Sequence, residues 1–230
     1  MSAYDVFGAI NTIFIFVSLY GIMSQVRTIW HRKKQKSEGG ATELLSINQF
    51  TVSYLAYLSF LIYGYSIEPF NHYIVWPRLI ATLMVGTILY EIWLDRKTKA
   101  SYFVLVIAIF SLIFGMAGLF YGDTYVDEGR SVSTIIILVI SLLIAQAYYH
   151  QIKLIIKSGS TGAVDLTMSQ FILMMDISTI AFALSMGIDN GWPLMILAIT
   201  SGITKIAIMY LFKWVKVNPV ARSRREEYSS

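Results

Sequence analysis

The chain has 230 residues, 56% of them hydrophobic and only 14% charged, with a mean hydropathy of +0.62. Soluble domains carry roughly a quarter charged residues, so this composition excludes an ordinary water-soluble fold. The formal net charge of +4 makes no case for nucleic acid as a partner, because the basic residues gather in particular loops, and the absence of cysteine excludes disulfides and thiolate metal sites.

The apolar runs are about 20 residues long, the length a helix needs to cross a hydrocarbon core of roughly 30 Å. Seven are expected. The first spans Asp5 to Trp30. Met1 to Asp5 carries no Lys or Arg, so this helix is expected to be retained rather than cleaved as a signal peptide. After the loop HRKKQKSEGGAT the second runs from Glu43 to Ser66, and the third from Tyr73 to Leu94. The fourth covers Ala100 to Tyr121, where Ser111, Gly115 and Gly118 allow close packing on a neighbour. Beyond GDTYVDEGR come the fifth, Ser131 to Ile156, the sixth, Asp165 to Gly187, and the seventh, Trp192 to Val215. The polar tail, 217–230, is expected to be flexible.

Fifteen of the 18 Lys and Arg residues fall in the loops after the first, third and fifth helices or in the C-terminal region. The bias of basic residues toward the cytoplasm places the N-terminus outside and the C-terminus inside. An internal echo sets the architecture. A shift of 121 residues, from 25 to 146, puts Gln146 on Gln25, Lys157 on Lys36 and Phe171 on Phe50. Trp76-Pro77 meets Trp192-Pro193 at a shift of 116, which also pairs Gly86 with Gly202. A three-helix unit repeated directly would return inverted, so the fourth helix restores its direction. The expected fold is an all-α membrane protein of seven transmembrane helices in a 3+1+3 arrangement of parallel triple-helix-bundle repeats. The first repeat covers 1–96, the linker helix 97–128 and the second repeat 129–216.

In both copies a glutamine closes an apolar helix, Ser24-Gln25 and Ala145-Gln146, and a basic Gly/Ser loop follows. With the duplicated triplets, these residues resemble the PQ-loop superfamily, which includes the SWEET sugar transporters. The resemblance covers Asp5 to Trp214. It implies a carrier that rocks one triplet against the other around a midplane site, with Gln25, Gln146, Ser24, Ala145 and Gly21 at the motif or gating positions. One departure stands. The family's proline before each glutamine is replaced by Ser24 and Ala145, and all four prolines lie outside the first, second, fifth and sixth helices. The family's helix hinge is therefore missing, and Gly21 is the one soft position beside the motif.

Charges inside a bilayer are costly and default to functional candidates. Asp176 lies midway along the sixth helix and Lys205 deep in the seventh, while Arg78 and Glu91 lie near interfaces they can reach by snorkelling. Asp176 and Lys205 are expected to pair. Two readings stay open: an internal ion pair that holds two helices together, or a site for a small polar solute, or for a proton carried by Asp176. Asn11, Ser18 and Gln25 share one face of the first helix. Position in the repeat adds Thr82 and Thr87 on the third helix and Thr204 beside Lys205 on the seventh. The superfamily's sugar carriers use asparagine at this level, and none stands here. His31, His72 and His150 are isolated, no Gly-rich phosphate loop or nucleophile–base pair occurs, and no enzyme activity, cofactor or metal is expected.

The leading expectation is thus a membrane carrier for a sugar or amino-acid-like solute, with the lipid bilayer as its surroundings, as a monomer or homo-oligomer. Two others remain: a receptor or sorting protein that binds a ligand without moving it, and a retinal-binding photoreceptor with its lysine in the last helix. The photoreceptor lacks a carboxylate one turn before Lys205, where Ser201 stands.

Overall fold

The computed structural model describes residues 3–35, 40–66, 72–121, 130–185 and 187–229. Among these residues the fold is entirely helical: α1 (Ala3–Lys34), α2 (Ile47–Ser66), α3 (His72–Arg96), α4 (Lys99–Tyr121), α5 (Arg130–Ser158), α6 (Leu166–Ser185), α7 (Ile188–Val217) and α8 (Pro219–Ser229). Six of them, α1 and α3 to α7, are long and apolar enough to cross a membrane; the described apolar part of α2, Ile47–Ile62, is shorter. Large apolar side chains point outward, with Phe103, Phe110, Phe114 and Leu142 all more than half exposed. Such a surface suits lipid rather than water, and the chain has the character of a multi-pass all-α membrane protein.

Helix ends follow local chemistry. The Ser46 hydroxyl accepts from the Gln49 N–H at 3.2 Å and caps α2, and Asp165 Oδ1 accepts from the Met168 N–H at 2.7 Å and caps α6. Gly159, at φ +62°, ends α5 with its N–H on the Ile155 carbonyl. The tail does not match the expectation for 217–230. Pro219 opens α8, Asn218 Oδ1 accepts from the Val220 N–H at 2.9 Å, and Ala221 is fully buried. Arg224 and Arg225 donate to the Ile156 and Gly159 carbonyls at the end of α5. Tyr228 donates to Glu43, and its phenol is pushed up by burial and by that carboxylate. Docking rather than intrinsic propensity orders this segment.

The helices form a closed ring. α1 packs on α3, α3 on α2, α2 on α5, α5 on α7, α7 on α6, and α6 returns to α1. Exchanging α1 with α5, α2 with α6 and α3 with α7 turns this set of contacts into itself. α4 stands outside the exchange, against α2 and α3. Its small residues serve the expected purpose: a Cβ on Gly115 would lie 3.1 Å from Leu58, and one on Gly118 2.4 Å from the Tyr65 hydroxyl.

Hydrogen bonds set the true register of the internal echo. Gln25 donates to the Ala163 carbonyl at 2.5 Å and accepts from the Asp165 N–H at 2.9 Å. Gln151 donates to the Leu44 carbonyl at 2.8 Å and accepts from the Ser46 N–H at 2.5 Å. Gln151 is therefore the counterpart of Gln25, at a shift of 126 (25 to 151). The capping residues Ser46 and Asp165 correspond at 119. The Trp-Pro pairs keep 116, and the structure bears that out: Gly86 faces Tyr54 on α2 while Gly202 faces Leu173 on α6, a pair again related by 119. The ungapped shift of 121 thus placed Gln146 five residues short of Gln151. At 3.6 residues per turn that is roughly 140° around the helix, a different face. Gln146 is exposed and accepts from Asn48 at 2.7 Å, and Ala145 beside it is half-buried.

Candidate functional site

Three charged side chains from both halves act on one another inside the ring. Asp176 on α6 and Lys205 on α7 are buried. Arg78, near the start of α3, is half-buried, with its guanidinium carbon over two rings of α2, 5.5 Å from the centroid of Tyr57 and 5.1 Å from that of Phe60. Lys205 and Arg78 are the cations that act on the Asp176 carboxylate, and Ser201 flanks it. Tyr148 of α5 completes the cluster. Its hydroxyl accepts from Lys205 Nζ, which also stands 3.8 Å from the ring centroid.

The expected pairing of Asp176 with Lys205 is not made as a direct contact. The ion pairs among the described residues are Lys33–Glu91 and Arg222–Glu226. Asp176 Oδ2 is buried without a hydrogen-bond partner. Arg78 lies over aromatic faces of α2 and acts on Asp176 without a direct ion pair among the described residues. Buried charges held apart from direct contact are costly, and a stability role would be served better by tight pairing or by apolar residues of the same size. Two cations and one anion that act on one another form an arrangement suited to recognising charge.

The other sequence candidates bond within the protein. The Thr82, Thr87 and Thr204 hydroxyls donate to carbonyls of their own helices, at Arg78, Leu83 and Ser201. Back-bonding of this kind satisfies a polar stripe without any ligand. Asn11 accepts from Ser178 at 3.0 Å and from Thr179 at 2.9 Å, so it joins α1 to α6. Gly21 sits in the same contact, where a Cβ would come within 3.0 Å of Met168 Cα. Ser24 and Thr28 donate to Asp165 Oδ2. Glu91 accepts from Trp30 Nε1 at 2.8 Å and from Lys33, tying α1 to α3.

Sequence reasoning missed Tyr57, Tyr148 and Gln151, and did not bring Arg78 to Asp176. One signal was available for Tyr57. It stands 11 residues after the cap of α2, from 46 to 57, as Asp176 stands 11 after the cap of α6, from 165 to 176. The two are repeat partners of different chemistry.

The loops that precede α2 and α6 meet at the basic end of the ring. Gly162, at φ +55°, lies so close to Leu44 that a Cβ there would stand 2.6 Å from the Leu44 Cβ. Each loop is held by a glutamine from the other half, and together they close this end. Compared with known proteins, the chain matches no family model, no curated protein and no solved structure.

Proposed function

We propose that the protein is a membrane carrier for a small polar solute, built as seven spans in the 3+1+3 arrangement of the PQ-loop and SWEET class. α1–α3 and α5–α7 are the two rocking bundles and α4 is the linker, with the N-terminus outside and the basic loops cytoplasmic. The observation that carries this reading is the cluster of Arg78, Asp176 and Lys205, drawn from both halves, in which the buried Asp176 Oδ2 accepts no hydrogen bond and no direct ion pair is made among the described residues. Sites of parallel-repeat carriers lie at such a repeat interface. The exchange symmetry of the helix contacts supports the same architecture. In this reading the glutamine clasps hold the cytoplasmic end shut and release when the bundles rock.

Purified protein in liposomes tests it, with radiolabelled sugars, amino acids and amines as probes. The expected result is saturable uptake of one class, lost in Asp176→Asn and in Lys205→Ala while both variants stay monodisperse. No flux of any probe would remove the carrier reading. Saturable binding without flux would favour the receptor alternative, which the absence of proline from α1, α2, α5 and α6 also favours.

A further inference from the structure

The basic end of the ring carries a second polar feature, apart from the charge cluster. An open groove of about 420 Å³ lies between α1 and the loop before α6. Ser24, Arg27, Thr28, His31 and Arg32 line it from α1, and Gly162 lines it from the loop. We propose that this groove seats the headgroup of an anionic phospholipid whose acyl chain runs along the seam of α1 and α6. The proposal does not rest on the carrier reading.

Charge selects the headgroup. The carboxylate bonded to this lining is that of Asp165, and protein donors occupy it. Its Oδ2 accepts from Ser24 at 3.1 Å and from Thr28 at 2.7 Å, and its Oδ1 accepts from the Met168 N–H. Arg32 donates to the Ala41 and Gly162 carbonyls, both at 3.3 Å, which fixes it as part of the wall. His31 Nε2 bonds to Gln35 at 2.9 Å. Arg27 is exposed, with its guanidinium carbon 5.8 Å from the Tyr20 ring centroid. Two arginines against one satisfied carboxylate leave a positive excess, and arginine matches phosphate oxygens with two parallel bonds. A basic pocket between membrane helices is suited to an acidic lipid.

The apolar stripe beside the groove selects a lipid over a free anion. Ile13, Phe16, Tyr20, Ser24, Arg27 and His31 follow at intervals of three or four residues and share one face of α1. That face turns from apolar to polar between Tyr20 and Ser24, and Ile13, Phe16 and Tyr20 are all exposed. α6 runs antiparallel beside it: the Tyr20 and Phe171 rings stand 5.5 Å apart, and Asn11 bonds to Thr179. These contacts bring Met174 level with Phe16 and Ile177 level with Ile13, and both are exposed. From Ile13 to Arg27 is roughly 21 Å of helix, about half of the roughly 40–45 Å of a bilayer with its headgroups. Groove and stripe together have the length of one leaflet. A headgroup seated there also joins α1 to the loop that Gln25 holds, so the lipid should stabilise the closed basic end.

The test uses delipidated full-length protein in neutral detergent, with thermal shift and native mass spectrometry as readouts. The probes are dioleoylphosphatidylglycerol, dioleoylphosphatidylcholine and inorganic phosphate. The expected result is saturable stabilisation and one retained adduct with phosphatidylglycerol alone. Arg27→Gln should weaken that binding by about fivefold, the loss for one basic residue against an anionic lipid, and Arg27→Lys should restore part of it. Lys153→Gln, at an exposed position on α5 across the ring from α1, should leave it unchanged. If Arg27→Gln does not fold, a phosphatidylglycerol with a photoreactive acyl chain decides, and should label 13–20 and 171–177. Phosphatidylcholine equal to phosphatidylglycerol, label spread evenly over the other helices, or an equal loss in Lys153→Gln would overturn the proposal. Phosphate alone stabilising as much as phosphatidylglycerol would also overturn it, in favour of a free-anion site.

Discussion

The two glutamine clasps make the same bonds in different company. Gln25 reads the carbonyl of Ala163 and the N–H of Asp165, and Gln151 reads the carbonyl of Leu44 and the N–H of Ser46. The loop they hold differs in what else supports it. The first is gripped by the end of α3, where Asp95 accepts from the Thr42 N–H and hydroxyl, both at 2.7 Å, and Arg96 donates to the Thr42 and Leu45 carbonyls. The second is gripped by Ser24 and Thr28 of α1 through Asp165, and by α8 through Gly159. A glutamine that bonds to backbone places no demand on loop side chains. The two loops could therefore diverge into TELLS and TGAVD while keeping the same closure, each with its own additional anchors.

Removing the clasps should give the largest effect. Gln25→Leu and Gln151→Leu each leave one buried carbonyl and one buried N–H without a partner, at about 1–3 kcal/mol per group. Each variant is expected to lose roughly 2–5 kcal/mol of stability, measured by reversible denaturation in detergent. Because the loops touch through Gly162 and Leu44, the double variant should lose less than the sum of the two. Strict additivity would show that the clasps close the basic end independently.

The separate anchors come next. Asp95→Ala removes charge-assisted bonds to the first loop and is expected to cost about 2 kcal/mol. Arg225→Ala removes bonds to the Gly159 and Val215 carbonyls near the surface, and its cost should stay under about 1 kcal/mol. Amide exchange separates them. Asp95→Ala should speed exchange in 40–46 and leave 159–165 slow, and Arg225→Ala should do the reverse. Equal acceleration of both loops by either variant would mean that the loops open as one unit.

Much of the fold could be read from the sequence, because the cost of unpaired backbone in lipid makes a helix of every long apolar run. Asp176 and Lys205 were legible for a related reason: charge in such a run is expensive. Arg78 was visible, but its neighbours were not. Two residues past Trp76 it reads as a snorkelling cation, and only α2 in three dimensions supplies the rings of Tyr57 and Phe60 that hold it over them. The partner of Lys205 was hidden because Tyr148 is one of 15 tyrosines, and no spacing along the chain marks the one that meets an ammonium. The hydroxyl stripe carries no unique reading, because a threonine in a helix can satisfy itself on the preceding turn.

The same contrast yields the smallest prediction. Gln146 follows Ala145 as Gln25 follows Ser24, and in sequence it is the better match; in space its side chain bonds to Asn48 on an exposed part of the surface. An exposed side-chain pair of this kind contributes little, since water replaces either partner at no cost. Gln146→Leu should therefore change stability by less than about 0.5 kcal/mol, against the several expected for Gln151→Leu. Both substitutions remove one amide from α5, so they differ in helix face rather than in chemistry. A Gln146 variant as damaging as the Gln151 one would restore the ungapped register and require a second arrangement of α5, rotated by more than a third of a turn.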